Sequence, residues 1–213
     1  MKKKTYSKDI ANAVCTVLKE DNWHFSFDDQ RGVFRFGLSM KGKIKEINYI
    51  IYVKENDYTV YVGSPLGADE GDEKMMATMA EFVCRVNYGL KYGNFELDMR
   101  DGEVRFKSFV DCEGAIPTKE IVRNSVFCPA AMLEQYGEGI ADIIFRNINA
   151  EDAVEKCERA PAEGLQDLPG SASDTDMMSS GLLEQFDMEE DELSSKGVTA
   201  IRTDLFGTKG GNS

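Results

Sequence analysis

The sequence contains a single histidine, His24, among its 213 residues. Serine and cysteine nucleophiles normally need an imidazole base, and zinc sites draw on several histidine or cysteine ligands. One histidine therefore excludes every catalytic dyad or metal site that needs two. His24 stands between aromatic residues in Trp23-His24-Phe25, where we expect an outward-facing strand residue rather than a functional group.

The five cysteines contain no C-x-x-C pair, and their number is odd. This excludes a disulfide framework and favours isolated thiols that pack as small apolar side chains in a reducing compartment. Long apolar runs are lacking too, because Asp9, Asn12 and Lys19 interrupt the stretch that follows the basic start. The sequence therefore predicts neither a signal peptide nor a membrane-spanning helix, and we expect a cytoplasmic protein.

Phosphate-binding glycine patterns are also missing, since the 19 glycines form neither G-x-x-x-x-G-K-[ST] nor G-x-G-x-x-G after a strand. The acidic run 69–73 lacks the spacing of a calcium loop and suits the N-terminus of a helix instead. Nothing singles out a carboxylate pair of the kind that glycosidases use. We therefore predict no catalytic residue, no metal site and no cofactor.

Positive charge is scarce, with 25 lysines and arginines against 38 acidic residues and a net charge of −13. This balance argues against nucleic acid and anionic membranes as partners, because both carry charge of the same sign. The excess is uneven: residues 160–213 hold 11 acidic and 3 basic residues, and residues 1–159 hold 27 and 22. We predict a folded domain over 1–159 and a disordered acidic tail over 160–213.

The tail has two interpretations. Bulky apolar residues lie among acidic ones between Leu182 and Leu193, a composition typical of a segment that folds on a partner. The alternative is a solvated acidic tail that happens to contain some leucines.

Within the domain, apolar periods of 3.6 and 2 alternate along the chain and predict an α+β fold. A helix is followed by four strands, a second helix, a hairpin and a last helical region that breaks near Pro129. After it we expect only a short turn, 151–157. The expected architecture is an antiparallel sheet with helices on one face, in the order α-β-β-β-β-α-β-β-α.

The stretch from Ile44 to Val53 is apolar on both faces, because Ile50 and Tyr52 alternate with the residues of the first face. A turn at Asn56-Asp57 would pair Val53 with Val60 and Ile51 with Val62, and would set Tyr52 opposite Tyr61. Ile50, Tyr52 and Tyr61 are the candidate partner-binding surface.

The second hairpin carries the strongest turn signal, Asp101-Gly102. A two-residue turn there would place Leu97 opposite Phe106 and Met99 opposite Val104, both facing the helices. Opposite charges would then pair on the other face. The expected charge pairs are Arg100–Glu103, Asp98–Arg105 and Glu96–Lys107.

Two segments carry a resemblance to a known family. A helix leads through Gly93-Asn94-Phe95 into the hairpin over 79–106, and the chain closes with Ile148-Asn-Ala-Glu-Asp-Ala-Val-Glu155. Over Thr5 to about Glu158 the chain resembles the bacterial YbjN family, described as sensory transduction regulators. That family is similar in fold to type III secretion chaperones. The resemblance implies a regulatory or chaperone-like role without catalytic residues.

The sequence thus predicts a non-catalytic module that binds another protein or a peptide segment, and that forms a homodimer through the candidate surface. Two alternatives stay open: a small-ligand sensor, and an enzyme of unrecognised type that uses carboxylates. An apolar groove would favour a protein partner, whereas a closed pocket with converging carboxylates would favour the alternatives.

Overall fold

The structure, a computed structural model, describes residues 5–165, with side chains as far as Arg159. Six antiparallel strands form one sheet in the order β1-β2-β3-β4-β6-β5, accompanied by four helices. The predicted α+β class is confirmed. In chain order the elements are α1 Lys8–Glu20, β1 Ser26–Asp28, β2 Val33–Ser39, β3 Glu46–Val53, β4 Asp57–Gly63, α2 Glu73–Gly89, β5 Asn94–Leu97, β6 Val104–Asp111, α3 Lys119–Arg146 and α4 Ala150–Leu165.

The helices cover one face of the sheet. Along β4 and β6 the side chains alternate between buried positions and half-buried or exposed ones, the pattern of a sheet with one covered face. Helix α3 packs on β4 and β6, α2 packs on β5, and α4 packs on α2 and α3. The acidic run 69–73 lies at the start of α2. Its Asp72 caps the helix, because the carboxylate accepts hydrogen bonds from the Lys74 and Met75 backbone amides.

Helix α3 runs unbroken through Pro129, so the predicted break is wrong. Two buried tyrosines hold the helix just before the proline. The Tyr49 hydroxyl donates to the Val126 carbonyl at 2.9 Å, and the Tyr58 hydroxyl lies 2.8 Å from Ser125 Oγ. Proline removes a backbone donor and disturbs the preceding turn, and these contacts from β3 and β4 anchor the helix in that turn.

Helix α4 has 16 residues and replaces the predicted short turn 151–157. Its Lys156 ammonium contacts Asp142 of α3 at 2.6 Å and Glu138 at 3.0 Å. Asp142 is nearly buried and also pairs with Arg146 at 3.1 Å. The helix crosses the predicted boundary at 159/160, and the remainder of the predicted tail, 166–213, lies outside the described residues.

In the first hairpin the predicted register is wrong by two residues. Val53 lies opposite Tyr58 and Ile51 opposite Val60, with Glu55-Asn56 as the two-residue loop. A shift of two leaves every side chain on its own face, so alternation alone does not distinguish the registers. The observed register brings Tyr58 into the buried row, where it reaches Ser125.

The second hairpin is also displaced by two residues from the prediction. Leu97 lies opposite Val104, and Phe95 takes the place opposite Phe106, with ring centroids 5.0 Å apart. Met99 is exposed in the loop instead of facing the helices. Of the three predicted charge pairs, only Glu96–Lys107 forms an ion pair. In place of the other two, Asp98 binds Arg100, and Arg105 binds Glu96.

The physical reason is a four-residue loop in place of a two-residue turn. The Gly102 amide donates to the Asp98 carbonyl at 2.8 Å, and Asp98 donates to the Glu103 carbonyl at 2.9 Å. In the loop only Gly102 has a positive φ, at 74°, whereas a type I′ turn needs two such residues. A Cβ on Gly102 would lie 1.9 Å from the Ala68 carbonyl oxygen, so the loop before α2 also requires glycine there.

The outer edge of β5 is closed by a side chain of α2. The Asn87 amide accepts from the Phe95 N–H at 2.8 Å and donates to the Phe95 carbonyl at 2.9 Å. These are the two hydrogen bonds that a neighbouring strand would make. Asn87 therefore blocks strand addition at this position of the edge.

Replacing Tyr49 by phenylalanine tests the anchor of α3. We expect Tyr49→Phe to lower the free energy of unfolding by about 1–2 kcal/mol, because a buried hydrogen bond to the disturbed turn is lost. Urea denaturation measures the change. Tyr88→Phe is the control, since the Tyr88 side chain is 97% exposed and should give a change within about 0.5 kcal/mol. Equal stability of Tyr49→Phe and wild type would contradict the anchor.

A second variant tests the closed edge. We expect Asn87→Ala to lower the free energy of unfolding by about 1–2 kcal/mol, because the Phe95 N–H loses its partner and the Phe95 carbonyl keeps only the longer hydrogen bond from the Asn94 side chain, at 3.2 Å. The matched control is Asn12→Ala on the exposed side of α1, where the Asn12 side chain makes no hydrogen bond to the residues that the structure describes. If both variants unfold at the same urea concentration, Asn87 contributes nothing to the edge.

Candidate partner-binding face

The sheet face turned away from the helices is the candidate functional site, and we call it the open face. Its side chains come from β2, β3, β4, β6 and β5, aligned in rows by the strand register. The central members are Arg35, Ile50, Tyr52, Tyr61, Gly63, Glu96, Arg105, Lys107 and Phe109.

The three residues of the predicted surface lie together on the open face. Ile50 is directly opposite Tyr61, and Tyr52 is opposite Thr59 rather than Tyr61. The rings of Tyr52 and Tyr61 still meet on the diagonal, edge to face, with centroids 6.1 Å apart. Ile50 is only 7% exposed within one chain, so the larger side chains around it provide the accessible surface.

Phe109 is a fourth apolar member, which sequence reasoning missed. It lies on β6 opposite Thr59 of β4, and its side chain is 56% exposed. Alternation along β6 contained the signal, because Val104, Phe106 and Val110 point inward and so place Phe109 outward. An exposed phenylalanine beside two half-buried tyrosines forms an aromatic surface suited to contact with another molecule.

No neighbouring side chain of the part of the chain that the structure describes covers Gly63. A Cβ built on this glycine would meet no atom within 4 Å, and the backbone there is not in the left-handed region. Gly63 lies opposite Asn48 on one side and Arg105 on the other. The open face therefore has room for a side chain at this position.

Basic side chains border the aromatic surface on the side of Tyr61, whereas Asp57 and Asp111 border it on the side of Phe109. Arg105 lies over the Tyr61 ring, with its guanidinium carbon 4.5 Å from the ring centroid, and binds Glu96 at 2.7 Å. Lys107 binds the same carboxylate, and Arg35 lies opposite Ile50. Burial opposes ionisation of Glu96, but the hydrogen bonds from Lys107 and Arg105 prevail and hold its pKa below the usual value.

At the sheet edge, an open groove of about 530 Å³ lies between α2 and the second hairpin. Ala80, Val83 and Phe95 supply apolar lining, and Glu96, Asp98 and Glu103 bring carboxylates to the same groove. Hydrogen bonds from Arg100 lower the pKa of Asp98 to about 2. Burial raises the pKa of Glu103; Arg105 opposes that shift, and the neighbouring carboxylates add to it.

The remaining predicted features lie elsewhere. His24 is exposed in the connection before β1, not in a strand. Among residues 5–165, no group of three or more His, Cys, Asp or Glu side chains is arranged to hold a metal ion. In the same part of the chain, no helix has the length and apolar character needed to cross a membrane.

The environment of Glu103 in the groove predicts how the stability of the domain depends on pH. Because the pKa of Glu103 is raised, the folded state binds the proton of this carboxyl more readily than the unfolded state does. Protonated Glu103 therefore stabilises the fold at low pH, and this stabilisation is lost as the pH rises through the folded-state pKa. Glu103→Gln should therefore be more stable than wild type at pH 7, and the difference should disappear below about pH 4. Urea denaturation across pH 3.5–8 (a range spanning the ordinary glutamate pKa of about 4.3) measures this. Exposed Glu113→Gln is the control, and a destabilised Glu103→Gln at pH 7 would contradict the prediction.

Comparison of the chain with family models, with curated proteins and with solved structures returned no match. The resemblance to the YbjN family and to secretion chaperones therefore stays a prediction. The geometry of the open face is the basis for the functional argument that follows.

Proposed function

We propose that this protein is a non-catalytic protein-binding module whose open face holds a segment of another protein, in a regulatory or chaperone-like role. The observation that carries the proposal is the aromatic surface formed by Tyr52, Tyr61 and Phe109 on the open face. The bacterial signalling role that the YbjN resemblance implies belongs to this proposal too.

Interface physics supports this use of the surface. Tyrosine, phenylalanine and arginine are enriched at protein interfaces, because each combines a large contact area with limited conformational freedom or a directional polar group. Arg105 is already oriented by Glu96 and by the Tyr61 ring, so binding would cost little additional side-chain entropy there.

A second copy of the chain is the alternative partner for the same surface, with Tyr52, Tyr61 and Phe109 as the contact residues of the homodimer. Ile50 contributes little, since its side chain is already buried in one chain. Size-exclusion chromatography of the wild type at high concentration distinguishes a dimer from a monomer.

A small-ligand sensor is the second candidate, favoured by the groove beside β5. Its carboxylates and apolar lining suit a small organic cation. Such a ligand would lower the pKa of Glu103 on binding, because a positive charge favours the ionised carboxylate.

The proposed function predicts that Phe109 is an interface anchor. We expect Phe109→Ala in the full chain to reduce capture of specific partner proteins from lysate of the producing cells by about tenfold, because truncating an aromatic anchor commonly costs 1–2 kcal/mol or more. Quantitative mass spectrometry of the captured proteins measures the loss.

Tyr88→Ala is the matched control, since it removes an exposed aromatic ring at the end of α2. It should leave capture unchanged. Capture that is identical for wild type, Phe109→Ala and Tyr88→Ala would contradict binding through the open face.

A further inference from the structure

The centre of the open face is basic although the chain as a whole is acidic. Arg35, Arg105 and Lys107 contribute three positive charges, and Glu96 forms ion pairs with Arg105 and Lys107. Asp57 and Asp111 also belong to this face and lie opposite each other at the ends of β4 and β6, one row beyond Thr59 and Phe109. An occupant that combines apolar side chains with negative charge would complement the central region.

The same chain contains a segment of that chemistry. Residues 182–193, Leu-Leu-Glu-Gln-Phe-Asp-Met-Glu-Glu-Asp-Glu-Leu, include six acidic side chains and no basic one. Five bulky apolar side chains lie among them. No other stretch of the sequence combines so many acidic residues with leucine, methionine and phenylalanine.

The length of the connection permits contact with the open face. Sixteen residues, 166–181, separate Leu165, the last described residue, from Leu182. A connection of that length spans at most about 60 Å. A domain of this size has a radius of gyration of about 15 Å, so the segment can reach either side of the sheet.

Covalent attachment also favours this occupant over a second copy. A tethered segment experiences an effective concentration on the order of millimolar, above the micromolar concentrations at which separate chains usually meet. Two open faces pressed together would in addition bring their basic centres close to each other, which opposes association.

We propose that residues 182–193 occupy the open face of their own chain and that a partner protein must displace them. The Leu182, Leu183 and Phe186 side chains would contact the aromatic surface, and the acidic residues would face Arg35, Arg105 and Lys107. This inference rests on the proposed function, because it assigns the competitor for the same surface. The tail is then a regulator of partner binding.

Photo-crosslinking in the purified full chain tests the contact. A benzophenone amino acid replaces Phe109, and in a control chain it replaces Tyr88 on α2. We expect Phe109 to crosslink to residues 182–193 within one chain and Tyr88 not to do so, with a lower yield at high salt because the charges are screened. Crosslinks from Phe109 only to a second copy, or none to the tail, would overturn the proposal.

Charge variants at Gly63 provide a second measurement that leaves the core intact. Gly63→Glu should reduce the tail crosslink, and Gly63→Lys should increase it, each by about two- to fivefold, the factor expected for one exposed charge pair. Gly89→Glu is the control, since Gly89 also has no atom within 4 Å of a built Cβ but ends α2. Equal yields for Gly63→Glu and Gly63→Lys would contradict the electrostatic match.

Partner capture separates this inference from the proposed function. If the tail competes, Phe186→Ser in the full chain should raise capture of partner proteins several-fold while Phe109→Ala lowers it. If Phe109→Ala lowers capture but Phe186→Ser leaves it unchanged, the binding function stands and the competing tail is refuted. If the tail crosslinks to Phe109 but capture depends on neither variant, the tail contact stands and the binding function fails.

Discussion

The packing of α3 across the sheet is the interaction on which the rest of the structure depends. This helix contacts β4, β6 and all three other helices. Its position is set by directional hydrogen bonds from Tyr49 and Tyr58, and by Trp23, whose ring packs against Phe127 of α3 and against two aromatic rings of the sheet. Because apolar contact alone has no direction, these hydroxyls define where the helix lies on the sheet.

The sequence predicted the element order and the faces of the strands, since periods of 2 and 3.6 report which side of an element is buried. It did not predict the register of either hairpin. A shift of two residues preserves the faces, so the outcome depended on contacts far apart in the chain, such as Tyr58 with Ser125 and Gly102 with Ala68. Helix α4 was underestimated because its buried side chains, including Ala153 and Cys157, are small.

Of the candidate site, the sequence located Ile50, Tyr52 and Tyr61 on one face but not their individual exposure. Burial of Ile50 depends on neighbours that only the register brings together. The basic surroundings were hidden in the overall charge of −13, because net charge does not report where the cations lie. Pro129 was misleading for a related reason: a local rule for helix ends ignores the tertiary contacts that hold a helix across the proline.

The edge of β5 has a consequence for the motions of the domain. Because Asn87 of α2 supplies the hydrogen bonds of a missing strand, β5 is bound on one side by β6 and on the other by a helix. Unfolding the last turns of α2 would therefore release the Phe95 amide as well. Hydrogen exchange at the Phe95 amide would then show the same opening free energy as the amides of the last turns of α2. The end of α2 and β5 would form one cooperative unit, although they are separate elements of secondary structure.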